Sequence, residues 1–205
     1  MAGVDGGNAT ANGSIRIAAP LAISSSSFAP AAGSAFSGTL VATGGTTPVT
    51  WAIASGSLPT GLSLNGTTGG ISGTATVTGS FPVVIRATDS AQPVRRTVTR
   101  TVTITVAFAK SSPANNAKLA RTTSTTLAWY AFSGAVGYRY CLTTSTKACT
   151  NWLTPSGGTL ATSTAVTVAA GTTYYWQVVA FAGPVANAST PTMAANGGTW
   201  WAFRR

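Results

Sequence analysis

The chain has 205 residues, room for one large domain or two of about 100 residues each. Twelve Lys and Arg against two acids, Asp5 and Asp89, give a net charge of +10, yet only 7% of the residues are charged. With no His and no Glu, the chain has no catalytic triad, no imidazole metal site and no carboxylate pair set to flank one bond, so it is expected not to be an enzyme.

Hydrophobic residues make up 44% of the chain, which excludes a disordered polymer. No run reaches the ~18 apolar residues of a membrane span. Residues 1–13 are rich in Gly, Ala and Asn and carry no pattern, so they are expected to form an extended arm that lies on another subunit. The opening Met1–Gly7 shows neither a basic n-region nor an apolar h-region: either the chain is assembled without export, as virus structural proteins are, or a signal has been removed.

Turn pairs punctuate both halves: Gly44-Gly45, Asn65-Gly66 and Gly69-Gly70 in the first, then Gly157-Gly158 and Gly197-Gly198 in the second. Phe81, Val83, Ile85 and Ala87 alternate along one strand, and Val98, Val102, Ile104 and Val106 along the next, with Thr on most intervening positions. Period 2 with no helical stripe predicts an all-β sandwich or barrel fold. Composition changes at Lys110–Asn116, which places a domain boundary there: 14–109 before it and 110–205 after it.

Residues 17–106 resemble the He-PIG type of Ig-like, cadherin-like module found in bacterial and phage surface proteins. The resemblance rests on Gly44–Trp51, Ser57–Asn65, Thr68–Thr74 and Ile85–Asp89. It implies core positions at Trp51, Leu62, Leu64 and Ile71, and turn or close-approach glycines at Gly61, Gly70 and Gly73. The second half resembles a fibronectin type III domain, with Leu127–Trp129, Tyr138–Tyr140 and Gly171–Ala180 as strands and Tyr174 at the tyrosine corner. The two resemblances together imply two tandem β-sandwiches. Tyr174, Trp176, Val178 and Ala180 should face inward, and Tyr175 and Gln177 outward. The same resemblance implies a Cys141–Cys149 disulfide; two inert thiols are the alternative.

Cadherin-like modules often bind calcium, but Asp89 is the only carboxylate available to this one, so it is expected to cap the turn before Gln92-Pro93, with no metal or cofactor. The Asn-x-Ser/Thr sequons at Asn8, Asn12, Asn65 and Asn187 are assigned no role. Trp152, Tyr175, Trp200 and Trp201 are candidates for an outward aromatic patch that contacts glycans or another subunit. Arg86, Arg95, Arg96, Arg100, Lys110, Lys118 and Arg121, seven of the twelve basic residues, cluster in sequence around the junction and are expected to form one basic partner-binding surface. Arg96 and Arg100 share the core parity of Val98 and Val102, so a bulge or a frayed strand end is expected there. Nucleic acid is not the expected partner, because no RNP, KH or OB-like motif accompanies the charge.

These readings converge on a non-enzymatic structural protein of a virion (phage decoration, fibre or tail) or of an extracellular surface appendage. Its expected partners are copies of itself or an acidic shell or surface protein. A secreted carbohydrate-binding adhesion module is the rival, with glycans as partner.

Overall fold

In the computed structural model, residues 19–120, 122–145, 147–181 and 193–205 are described. The predicted arm at 1–13, Arg121, and the sequons at Asn8, Asn12 and Asn187 lie outside them. The first half forms β1 (Ala22–Ile23), β2 (Ser27–Phe28), β3 (Ala35–Thr39), β4 (Ala42–Thr43), β5 (Thr50–Ser55), β6 (Leu62–Leu64), β7 (Gly70–Thr74), β8 (Val77–Thr88) and β9 (Thr97–Val106). The second forms β10 (Lys110–Ser112), β11 (Ala117–Lys118), β12 (Ser124–Trp129), β13 (Ala131–Phe132), β14 (Gly137–Thr143), β15 (Ser163–Thr167), β16 (Thr173–Phe181), β17 (Met193–Ala194) and β18 (Trp201–Arg204). The fold is all-β, as the period-2 pattern predicts.

In the first half, β8 pairs with β5 and β9, and β9 with β2, while β3, β7 and β6 make a second sheet. Between them lies a cluster of buried side chains that includes Trp51, Ile71, Val83, Ile85, Val102 and Ile104. Leu62 and Leu64 are half-buried and pack against it. Alternation places these residues inside because β8 and β9 run antiparallel in unbroken register from Gly79↔Val106 to Thr88↔Thr97. Gly61 and Gly73 adopt φ of 94° and 134°, and a Cβ on either would meet the backbone oxygen of Thr74 or Gly61. Gly70, expected to do the same, is ordinary strand backbone.

The second half packs β10, β12 and β15 against the sheet β11-β18-β16-β14. Leu127, Trp129, Tyr138, Tyr174, Trp176, Val178 and Phe203 fill the space between them. The Tyr174 hydroxyl accepts a hydrogen bond from the Ala169 N–H at 2.8 Å. Tyr174, Trp176, Val178 and Ala180 face inward as expected. Gln177 does not face solvent: it is 4% exposed, and Val179 and Phe181 on the same outer parity are buried too. The apolar run Val178–Phe181 is the mark of a strand covered on both faces.

The two halves are joined by backbone. Strand β13 pairs in parallel with the start of β8, Ala131 opposite Val77 and Phe132 opposite Thr78. The Ser133 N–H donates to the Thr78 carbonyl at 2.7 Å. Phe108, expected in the first unit, packs in the core of the second, and its carbonyl accepts from the Asn196 N–H at 2.7 Å.

Candidate interaction surface

Asp89 directly follows β8 and is almost fully buried. Its carboxylate accepts three backbone N–H groups, from Arg96 at 2.7 Å, Thr46 at 3.1 Å and Ala91 at 3.2 Å. The Arg96 N–H bond leads in holding its pKa below the ordinary carboxylate value. Asn65 is spent in the same way, accepting from the N–H groups of Thr67 and Thr68. Both side chains stabilise turns with the oxygens a cation would need, and no group of three metal-ligating side chains occurs among the described residues.

The basic residues do not form one surface. Arg86 is exposed on the outer face of β8, opposite Thr99. Arg95 and Arg96 are exposed in the loop that joins β8 to β9. Arg100 has the parity of the core residues Val102 and Ile104 yet is exposed, and its guanidinium donates to the Ile23 carbonyl at 2.6 Å. The expected bulge or fraying at this point is absent. The β8–β9 ladder continues regularly through Arg100, and the side chain reaches the backbone of β1. From Thr97 to Val106, β9 covers about 30 Å, so these four arginines lie far from the junction that sequence order places them around.

Lys110, expected on the surface, is 2% exposed. Its ammonium donates to the Thr199 carbonyl at 2.5 Å and approaches the Trp176 carbonyl at 3.4 Å. It also sits 5.3 Å and 5.4 Å from the ring centres of Trp176 and Trp201. Burial lowers its pKa from 10.5 to about 7. Placed two residues after Phe108 at the start of β10, it enters the interior with its stem among aromatic rings. Lys118 is exposed on β11, where it pairs with Arg204 of β18.

Cys141 and Cys149 are disulfide-bonded with their Cα atoms 6.0 Å apart, closing the loop that follows β14. Trp201 turns inward: its ring meets Trp176 edge-on, with centres 6.2 Å apart. Trp200, Tyr175 and Trp152 are half-buried. No ring contact links these three among the described residues, so the expected aromatic patch is not assembled by direct stacking. Tyr175 lies on the outer face of β16 between Thr143 and Ala202, with the Lys147 ammonium 5.6 Å from its ring centre.

Two clefts flank these elements. An apolar one of about 330 Å³ lies at the junction, lined by Val106, Phe108, Phe132 and Met193 among others. A second one of about 200 Å³ is lined by Asn116, Lys118, Thr173, Ala202, Phe203 and Arg204. Only Lys118 of that set is among the residues the sequence singled out, because the cleft forms from three strands remote in sequence. Among the described residues, no helix is long and apolar enough to cross a membrane.

Residues 19–107 match the family model described as "Putative Ig domain". No curated protein matches the chain. Among solved structures, a protein described as a putative alpha-galactosidase from Bacteroides fragilis is 23% identical, with a TM-score of 0.36 over 48% of this chain and 19% of its own. The protocadherin GammaB4 extracellular domain is 13% identical, with a TM-score of 0.36 over 90% of this chain and 34% of its own. Drosophila N-cadherin is 9% identical, with a TM-score of 0.33 over 91% of this chain and 67% of its own. The chain spans about a fifth of the first two solved proteins it matches, 19% and 21%.

Proposed function

We propose that the chain is a non-enzymatic structural and interaction module of a virion or an extracellular appendage, such as a phage decoration, fibre or tail component. It consists of an Ig-like unit over 14–109 and a fibronectin III-like unit over 110–205. The observation that carries this reading is the junction, where β13 of the second unit extends the sheet of the first. A backbone ladder across a domain boundary transmits force and orientation, as a structural spacer requires. Asp89, enclosed by three backbone N–H groups, is not free to act as a general acid or base.

Arg95 and Arg96 in the loop at the far end of the first unit, flanked by Arg86 on the outer face of the sheet and Arg100 on the other, form a basic rim that docks an acidic partner. Single rim charge pairs add only ~0–1 kcal/mol, but their summed field steers association. The test is co-sedimentation with intact particles or cells of the source, at low and at high salt. Binding should fall as salt rises, and the triple variant Arg95→Glu, Arg96→Glu, Arg100→Glu should not bind although its circular dichroism is that of the parent. A salt-independent attachment would sink the reading of this surface.

The second reading, a carbohydrate-binding adhesion module, is favoured by one observation: Tyr175 stays half-exposed on the outer face of β16, between Thr143 and Ala202.

A further inference from the structure

Lys118, Arg204 and Thr173 stand side by side on three neighbouring strands. Lys118 pairs with Arg204 across β11 and β18, and Arg204 with Thr173 across β18 and β16. Residues paired across strands project to the same face about 5 Å apart. That face is the outer one, because Phe203 and Tyr174, the next pair along, are buried in the core. One step further along the same face is the pair Ala202 and Tyr175. The methyl of Ala202 fills little space, so it leaves a hollow of about 200 Å³ whose sides are Asn116, Lys118, Arg204 and Thr173. Tyr175, paired with Ala202, stands beside the hollow and outside its lining, with the Lys147 ammonium 5.6 Å from its ring centre.

We propose that this hollow binds an anionic saccharide, a sulfated or uronic-acid sugar residue, with its charged group between Lys118 and Arg204 and its ring against Tyr175. Three features select that class. Both acids of the chain lie in the first half, at Asp5 and Asp89, so no acidic side chain of the second half neutralises Lys118, Arg204 or Lys147. An aromatic face beside paired cations suits a ligand that carries both an apolar ring face and an anion. The hollow is smaller than a drug-sized pocket, which suits one ring of a longer chain, and Asn116 and Thr173 supply the hydrogen bonds that a sugar's hydroxyls need. This inference rests on the reading of the chain as a binding module, and it concerns a different face from the arginines at the far end of the first unit.

The test is isothermal titration calorimetry of the full chain with four probes: a sulfated oligosaccharide, a uronic-acid oligosaccharide, a neutral oligosaccharide and a polyglutamate of matched charge. Binding of either acidic saccharide, with the neutral one at least about tenfold weaker, is expected. Equal or tighter binding of polyglutamate overturns the saccharide assignment in favour of an acidic peptide. Ala202→Phe fills the hollow while keeping every charge, and should abolish binding. Lys118→Ala and Tyr175→Ala should each weaken it about tenfold or more. Arg139→Ala removes one charge from β14, opposite Val179 and assigned to neither binding surface, and should leave it unchanged. If Ala202→Phe, shown folded by its melting curve, binds as the parent does, the attraction is bulk charge and the site is refuted. If no saccharide binds while the chain still attaches to particles through its arginines, the site fails and the proposed function stands.

Discussion

The Thr78 hydroxyl donates to the Ala131 carbonyl at 2.9 Å, across the boundary between the two halves, and Thr78 is fully buried. The bond supplements the β13–β8 ladder and leaves no unsatisfied polar group at that point. Thr78→Val keeps the shape but orphans the carbonyl, and should cost about 1–2 kcal/mol. Urea unfolding followed by tryptophan fluorescence measures this, and Thr78→Ser should recover most of the loss. If Thr78→Val is neutral, water reaches Ala131 and the junction is looser than described.

Lys110 makes the second half's stability rise with pH. Its pKa in the folded chain is about 7, against 10.5 ordinarily, so between these values the unfolded chain binds the extra proton. The burial penalty is therefore complete below pH 7 and is relieved as pH rises toward 10. Tyr138 acts in the opposite sense above its ordinary value of 10.0, because burial raises its pKa and the unfolded chain ionises first. The melting temperature should climb between about pH 7 and 9.5 and then level. In Lys110→Met this climb should vanish with no loss of stability at pH 7, because the Thr199 carbonyl keeps the Gln177 amide as a donor at 3.1 Å. A parent melting curve flat across that window would show that the two carbonyls and two rings hold the ammonium charged.

Asp89 gives the first half an acid-side dependence. Its folded pKa is depressed below 3.8, so its contribution is present above that value and is lost as pH falls through the folded one. Asp89→Asn would turn an amide N–H toward backbone donors and should lower the melting temperature by several degrees at pH 7. A chelator should leave the parent unchanged, because backbone N–H groups already occupy the Asp89 oxygens. A drop on chelation would reveal a cation site.

Gly61 and Gly73 press their backbones together so closely that a Cβ has no room at either. Gly61→Ala should destabilise the first half by about 2–4 kcal/mol, through both the clash and the positive φ. Gly70→Ala, on ordinary strand backbone two strand positions from solvent-facing Ser72, should cost under about 1 kcal/mol. Differential scanning calorimetry of the two variants side by side decides it; equal losses would mean that positive φ is not the cause.

Alternation with period 2 made the all-β class and the inward faces of β8 and β9 legible in the sequence; the inward face of β16 and the two Trp-centred cores were legible through the family resemblances. These are local properties, because a strand side chain's face follows from its position in the strand. The burial of Lys110 and Gln177 was not legible, because it depends on which segments cover the β16 sheet. The basic cluster misled for a similar reason: Arg95 and Lys110 are near in sequence, but a ten-residue extended strand separates them by about 30 Å. Conversely, Lys118, Thr173 and Arg204 are distant in sequence and adjacent in space, brought together by strand register alone. Composition and periodicity decide which residues can be inside; only the pairing of strands decides which surface residues become neighbours, since that pairing is made by backbone groups that every residue shares.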